Sequence, residues 1–390
     1  MPAIFSFFNL ITIFYGLLGL RLANTLWQER EQIRQEPLTP QKKNWGDEAA
    51  FYLAVPVGVV FHELGHAIAV WFFGGRVVEF GYRLFWGFVR SAGNFTPAEN
   101  WTIAVAGTVG SLLYGFAIWL LLHRSSNSSV RYFGLRAARF QIFFSLIYYP
   151  IFTLIGFVGD WETIYNFGAT PLLSSMTAGF HITLLLLYWY LERRGFFEMP
   201  SFADGATQAR YEALRDAALH DPAKAGHLNL IQMNLQGGAI RTARIQLQAL
   251  LKDNPQSAEA HLQMGMLLSQ KRNRVTRKAV RHLERALELG LSGKSLVGVA
   301  AIMLGQYYLS VEKYEEGLRV IDRALAALSD DPGNLSGYAQ AYALRGTLNQ
   351  RLGRNLAAEQ DLQRAIDLSS QNGEGESVGR YQQQLEQIRR

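Results

Sequence analysis

The sequence predicts an all-α protein: a polytopic transmembrane helical bundle of about five spans with a short strand-like connector, then a soluble α-solenoid of helix pairs. Three observations predict it. Apolar runs near the roughly 20 residues that a spanning helix needs are confined to residues 1–192. Residues 205–390 are instead polar and rich in Ala, Leu, Gln, Arg and Glu. Within that second half, short helical segments recur around aligned glycines. A chain of 390 residues has room for several domains. The expected boundaries are 1–48 (first span and charged linker), 49–195 (main membrane domain), 196–207 (linker) and 208–390 (repeat domain).

The first apolar run, 3–24, lacks a basic n-region and a small-residue cleavage site, so it reads as an uncleaved span. Residues 25–48 are charged and helical in composition, broken by "EPLTP". A second run covers 49–73. Residues 76–98, "RVVEFGYRLFWGFVRSAGNFTPA", alternate β-branched, aromatic and glycine residues and predict short strands or a hairpin. Further runs follow at 101–122, 140–158 and 173–191, with a loop expected over 123–139 carrying Arg124, Arg131, Arg136 and Arg139. Alternate connectors differ in charge: 21–48, 123–139 and 193–194 hold eleven Lys and Arg, whereas 1–20, 76–98 and 159–172 hold three. The positive-inside rule then places the first set, and the tail with it, in the cytoplasm.

In the tail, "AHLQMGMLLSQ", "AIMLGQYYLS" and "AYALRGTLNQ" align on Gly265, Gly305 and Gly346. Each is followed by a helix with small residues: Ala279 and Ala286, Gly317 and Ala324, Ala358 and Ala365. An earlier unit has Ala243, Leu250 and "NP" at 254–255, with Ile231 where a glycine would stand. This resembles the tetratricopeptide repeat over about 208–370, which implies stacked helix pairs that bind a soluble protein or peptide partner. Residues 371–390 read as a final capping helix.

The net charge of +6 is modest, and its arginines flank apolar runs or lie on solvated helix faces. With no recognition motif beside them, no nucleic acid is expected as a partner. The chain has no cysteine, which excludes disulfides and thiolate metal sites. A metal here must be held by His and carboxylate groups, a donor set that suits zinc.

Such groups occur where they are least affordable. "VVFHELGHAIAV" places His62, Glu63 and His66 in a run whose other residues carry no charge from Ala49 to Gly75. An ionised side chain near the bilayer centre costs at least about 2.5 kcal/mol, so it marks a functional site by default. On a helix the two histidines, four apart, share one face and can meet one ion. Glu63 lies beside that ion, placed to take a proton from water. Catalytic zinc usually takes three protein ligands. Asp160 in "GFVGDW", Glu79, Glu99 and His181 are the candidates for the third.

"HELGH" in one span, "AVAGTVGSLLYG" in a later one and "GD" after a third together resemble the site-2 protease family of intramembrane zinc metalloproteases, over about residues 49–165. The branch it resembles has AG-x-x-GS as its second motif. The resemblance implies that His62, His66 and Asp160 hold one zinc ion and that Glu63 is the catalytic acid/base. It further implies that Gly107, Gly110 and Ser111 pack beside the site, and that the substrates are membrane-anchored proteins within the lipid bilayer. Two departures stand out: the aspartate lacks "PLDGG" surroundings, and Ser111 replaces an asparagine. In characterised relatives the HExxH span runs inwards, which implies the opposite orientation to the Lys and Arg count. A competing reading from another class is an inactive membrane-anchored repeat scaffold with a structural metal.

Overall fold

The computed structural model describes residues 2–157, 159–220, 227–270, 275–328 and 334–389, with side chains at the amino end from Thr12 onward. The chain forms two compact units: Met1–Ala217 with Met233–Thr242, and Ala218–Gln232 with Ala243–Arg390.

In the first unit, the expected span at 3–24 lies within α1 (Pro2–Gln28), whose side chains over residues 2–11 fall outside the described residues. A short α2 (Arg30–Arg34) ends at the predicted break. Thr39 then caps α3 (Pro40–Ala49), accepting from Lys42 N, with Pro40 at the first helical position, where its missing N–H costs nothing. A π turn at Ala50–Ala54 joins α3 to α4 (Val55–Phe72), making one helix of 33 residues, Pro40–Phe72.

The connector after α4 is a two-stranded antiparallel hairpin, β1 (Arg76–Tyr82) and β2 (Gly87–Ala92), with a bulge between Val77 and Glu79. The Tyr82 hydroxyl donates to Pro56 O (3.1 Å) and docks the hairpin against α4.

Helix α5 (Pro97–Leu122) opens on a capping box: Thr96 Oγ1 accepts from Glu99 N while Glu99 Oε2 accepts from Thr96 N (2.7 Å). Helix α6 (Ser128–Phe143) is capped by Asn127, whose Oδ1 accepts from Val130 N (3.0 Å). The expected 123–139 loop is therefore confined to 123–127. Arg136 and Arg139 lie on the helix because acids from other helices, Asp47 and Glu192, pair with them.

A second π turn (Phe144–Tyr148) leads into α7 (Tyr149–Leu154). After α8 (Asp160–Ile164) comes α9 (Pro171–Arg193). Among the described residues, four helices are long and apolar enough to cross a membrane: Pro40–Phe72, Pro97–Leu122, Ser128–Leu154 and Pro171–Arg193. Ile68, Leu121, Leu172 and Phe180 stand exposed on them, as lipid-facing positions do. The chain is a membrane protein.

Two glycines let α4 and α5 approach closely. A Cβ on Gly65 would lie 2.2 Å from Ala106 O, and one on Gly110 would lie 2.3 Å from Phe61 O. Small residues at a crossing bring helix backbones together where the hydrophobic effect supplies no drive. In the stretch between α9 and the tail, Glu198 accepts from Arg241 N (2.9 Å) and Thr242 N (3.1 Å), and Phe202 N donates to Leu38 O (2.8 Å).

The tail is a solenoid of helix pairs. After α10 (Gly205–His220) and α11 (His227–Gln236) come α12 (Ile240–Asp253), α13 (Ala258–Gln270), α14 (Arg277–Leu289), α15 (Lys294–Ser310), α16 (Tyr314–Leu328), α17 (Leu335–Arg351), α18 (Asn355–Gln371) and α19 (Gly375–Arg389). The aligned glycines each face the following helix. A Cβ would meet Leu283 at 2.7 Å from Gly265, Ile321 at 2.5 Å from Gly305, and Ala358 O at 3.1 Å from Gly346. Ala243, Ala279, Ala286, Ala324, Ala358 and Ala365 are fully buried, and so, nearly, is Ile231. The capping helix α19 packs through Tyr381 and Leu385 against Ala339 and Ile366.

One buried ion pair holds the last repeat. Asp361 accepts from Arg345 Nη2 (2.6 Å) and Nε (3.1 Å) and from Asn349 Nδ2 (3.0 Å). Removing one partner of a buried pair strands the other. Asp361→Ala is therefore expected to destabilise the tail by about 3 kcal/mol. That is the low end of the range, since Arg345 keeps Asp322 at 3.0 Å. Chemical denaturation followed by circular dichroism checks it.

Candidate metal centre

Among the described residues, one cluster of His, Asp and Glu side chains is placed to hold a metal ion: His62, His66 and Asp160, with ligand atoms all within 4.8 Å of one another. Helix α4 supplies the two imidazoles from successive turns. Asp160 comes from the first position of α8, nearly a hundred residues on. Its Oδ2 lies 2.9 Å from His62 Nε2 and 3.1 Å from His66 Nε2. Tetrahedral zinc with nitrogen and oxygen ligands at 2.0–2.2 Å separates its donors by about 3.3 Å, so a small opening of this triangle admits the ion.

The second nitrogen of each imidazole is committed elsewhere. His66 Nδ1 lies 2.7 Å from the Ile103 carbonyl, which can only accept, so Nδ1 bears the proton and Nε2 keeps its lone pair. His62 Nδ1 lies 3.3 Å from Ser111 Oγ. Ser111 in turn points back to Gly58 O. Outer partners of this kind fix the tautomer and aim the ring of a metal-binding histidine. Ser111 is thus more than filler between helices.

Gly107 is what leaves room at the centre. A Cβ there would lie 2.4 Å from His66 Nε2 and 2.7 Å from His62 Nε2. The donor set, the committed Nδ1 atoms and the cleared space together fit a zinc ion.

Glu63 is buried, at 4% exposure, and its Oε2 has no hydrogen-bond partner. A buried carboxylate oxygen without a donor is costly and calls for an explanation. It also adjoins the hairpin: a Cβ on Gly87, the first residue of β2, would lie 2.6 Å from Glu63 Cγ. A cleft of about 450 Å³ is lined in part by Asp160, with Asn100, Thr163, Asn166 and Thr170 on its polar walls.

The other candidates for third ligand are used elsewhere. Glu79 pairs with Arg90 (2.8 Å) on the exposed hairpin, and Glu99 serves the α5 capping box. His181 donates from Nε2 to Leu146 O (2.7 Å) and accepts at Nδ1 from the Tyr165 hydroxyl (2.5 Å). Pro150 explains the first contact: lacking an N–H, it frees the carbonyl four residues back, and His181 takes it. Sequence reasoning missed Tyr149. Its hydroxyl donates to Asp160 Oδ2 (3.0 Å), and its ring stands edge-on to His62, 5.5 Å between centroids.

The family model described as Peptidase M50B-like matches residues 47–204, a stretch that contains every residue of the cluster. No curated protein matches the chain. Among solved structures, MamA is 19% identical, with 43% of this chain and 92% of MamA covered and a TM-score of 0.34. A MamA from Desulfovibrio magneticus RS-1 is likewise 19% identical, covering 42% and 93%, at 0.31. YrrB, titled a TPR protein with an unusual peptide-binding site, is 17% identical, covering 46% and 93%, at 0.31. Likeness at these TM-scores carries no weight, and the repeat character of the tail rests on its own helix pairs. With its HELGH helix, its AGTVGS helix and a converging aspartate, the stretch 47–204 is similar to the Peptidase M50B-like family.

Proposed function

We propose that the chain is an intramembrane zinc metalloprotease that hydrolyses peptide bonds of membrane-anchored proteins. The observation that carries this is the convergence of His62, His66 and Asp160 beside a buried, unpartnered Glu63 carboxylate. When bound, zinc supplies Lewis-acid polarisation of a carbonyl and a water acidic enough to react near neutral pH. The protein's own residues do the rest. Ile103 and Ser111 hold the imidazoles in place. Glu63 Oε2, free of other donors, takes a proton from water and returns it to the leaving amine. A peptide bond inside a helix is already hydrogen-bonded, so the substrate must be unwound locally. The hairpin, whose β2 begins against Glu63, offers a strand edge that pairs with an extended segment. The polar cleft at Asp160 offers water a route to a site otherwise set among apolar spans.

A structural zinc site closes with four protein ligands. Three converge here among the described residues, and Glu63 is left without a role in the scaffold reading. The tail, a stack of helix pairs without a metal cluster among its described residues, serves to bind a soluble protein or peptide partner or the substrate itself. The eleven-to-three distribution of Lys and Arg favours a cytoplasmic tail. The test is cleavage of a membrane-anchored reporter by purified protein in detergent, stopped by a chelator and restored by zinc. Zinc-loaded protein that cleaves no such substrate argues for the scaffold.

A further inference from the structure

We infer that Tyr149 is a positioning residue that sets the place and rotamer of the Asp160 carboxylate, and through it the affinity of the centre for metal. This rests on the metal-centre reading above. The Tyr149 hydroxyl meets Asp160 twice: it accepts from the backbone N–H (3.1 Å) and donates to Oδ2 (3.0 Å). One atom therefore fixes both the main chain and the side chain of the residue. Oδ2 is also the oxygen that faces both imidazoles.

The local backbone is arranged to deliver that hydroxyl. Tyr149 N–H donates to Phe144 O, five residues back, so the helix takes a wide turn just before it. Such π turns recur at functional sites, and this one rotates the tyrosine off the register that an uninterrupted α-helix would impose. Pro150 follows immediately, and the carbonyl it releases, Leu146 O, is held by His181 from α9. His181 also receives the Tyr165 hydroxyl from the end of α8. A single imidazole thus braces the segments on both sides of the turn that separates Tyr149 from Asp160.

Gly159 completes the fit. A Cβ there would lie 2.9 Å from the Tyr149 hydroxyl and 2.9 Å from Thr153 Oγ1. The glycine before the aspartate is needed for that approach, not for its backbone angles, since its φ of −175° is open to any residue. A ligand on a five-residue helix beyond a turn has little else to hold it: α8 carries no side-chain cap.

The test is zinc competition against a chelator of known affinity, on full-length protein in detergent micelles. Tyr149→Phe keeps the ring and removes only the hydroxyl. Zinc affinity is expected to fall by about 10- to 100-fold, the usual cost of losing an outer-shell partner. The thermal midpoint should hold, and cobalt-loaded protein should show an altered visible spectrum. Tyr148→Phe, its neighbour pointing elsewhere, should bind as wild type. Should Tyr149→Phe fail to fold, Gly159→Ala displaces the hydroxyl with the tyrosine intact and is expected to weaken zinc in the same way. Affinity within about twofold of wild type in the folded variant overturns the inference alone. A wild-type protein that binds no zinc takes the metal reading down with it.

Discussion

Glu63→Gln is expected to abolish proteolysis, lowering turnover of a membrane-anchored reporter by about 10²- to 10⁴-fold while zinc content stays at the wild-type level. The amide matches the carboxylate in shape, so the packing at 4% exposure is kept. What it loses is basicity. Glu63 is not among the converging donors, so metal should be retained. Its unpartnered Oε2 also means that no structural hydrogen bond is broken. Turnover rates with metal analysis of the same preparation check both halves. Undiminished cleavage would remove Glu63 from the chemistry, and parallel loss of zinc would make it a ligand.

The second large effect is expected at Gly107. Gly107→Ala puts a methyl group 2.4 Å from His66 Nε2 and 2.7 Å from His62 Nε2, inside the space where both rings converge. Real carbon contacts are never this short, so an imidazole or a helix must move. Helix movement is opposed by the tight crossings at Gly65 and Gly110. If the pair absorbs the methyl by shifting, overpacking costs about 1–3 kcal/mol. If the rings move, the donor triangle opens. Either way zinc affinity should fall by more than about 10-fold, because a ligand set tolerates displacement worse than loss of an outer partner. Chelator competition and the thermal midpoint separate the two outcomes.

How much of this was legible in the sequence depended on whether each signal was local. The i, i+4 histidines and the glutamate between them are a helical pattern, and α4 presents them as expected. The alternating stretch at 76–98 became the hairpin, and the tail glycines proved to be helix-contact positions. Glu99 was open to a better local reading: Thr96-Pro-Ala-Glu99 is a capping box in sequence, and that is its role. Arg136 and Arg139 misled in the other direction. Charges suggested a loop, whereas Asp47 and Glu192 on distant segments allow a helix there.

Tyr149 could not be found by pattern. Its link to Asp160 depends on a π turn, a proline and a reversal of the chain, and no spacing rule connects the two residues. The approach of Asp160 to the two histidines is itself a tertiary feature. Nothing in "GFVGDW" alone separates Asp160 from Glu79, Glu99 or His181, and the distinction appears only once the others are seen to be engaged.

The proposed chemistry requires one zinc ion held jointly by His62, His66 and Asp160. Zinc per chain, measured by elemental analysis on full-length protein purified in detergent and dialysed against zinc-free buffer, tests it most directly. The expected result is about one zinc ion per wild-type chain and a content near zero for Asp160→Ala, because a three-ligand site has lost a ligand. A wild-type chain that retains no zinc, or an Asp160→Ala variant that retains as much as wild type, would contradict it.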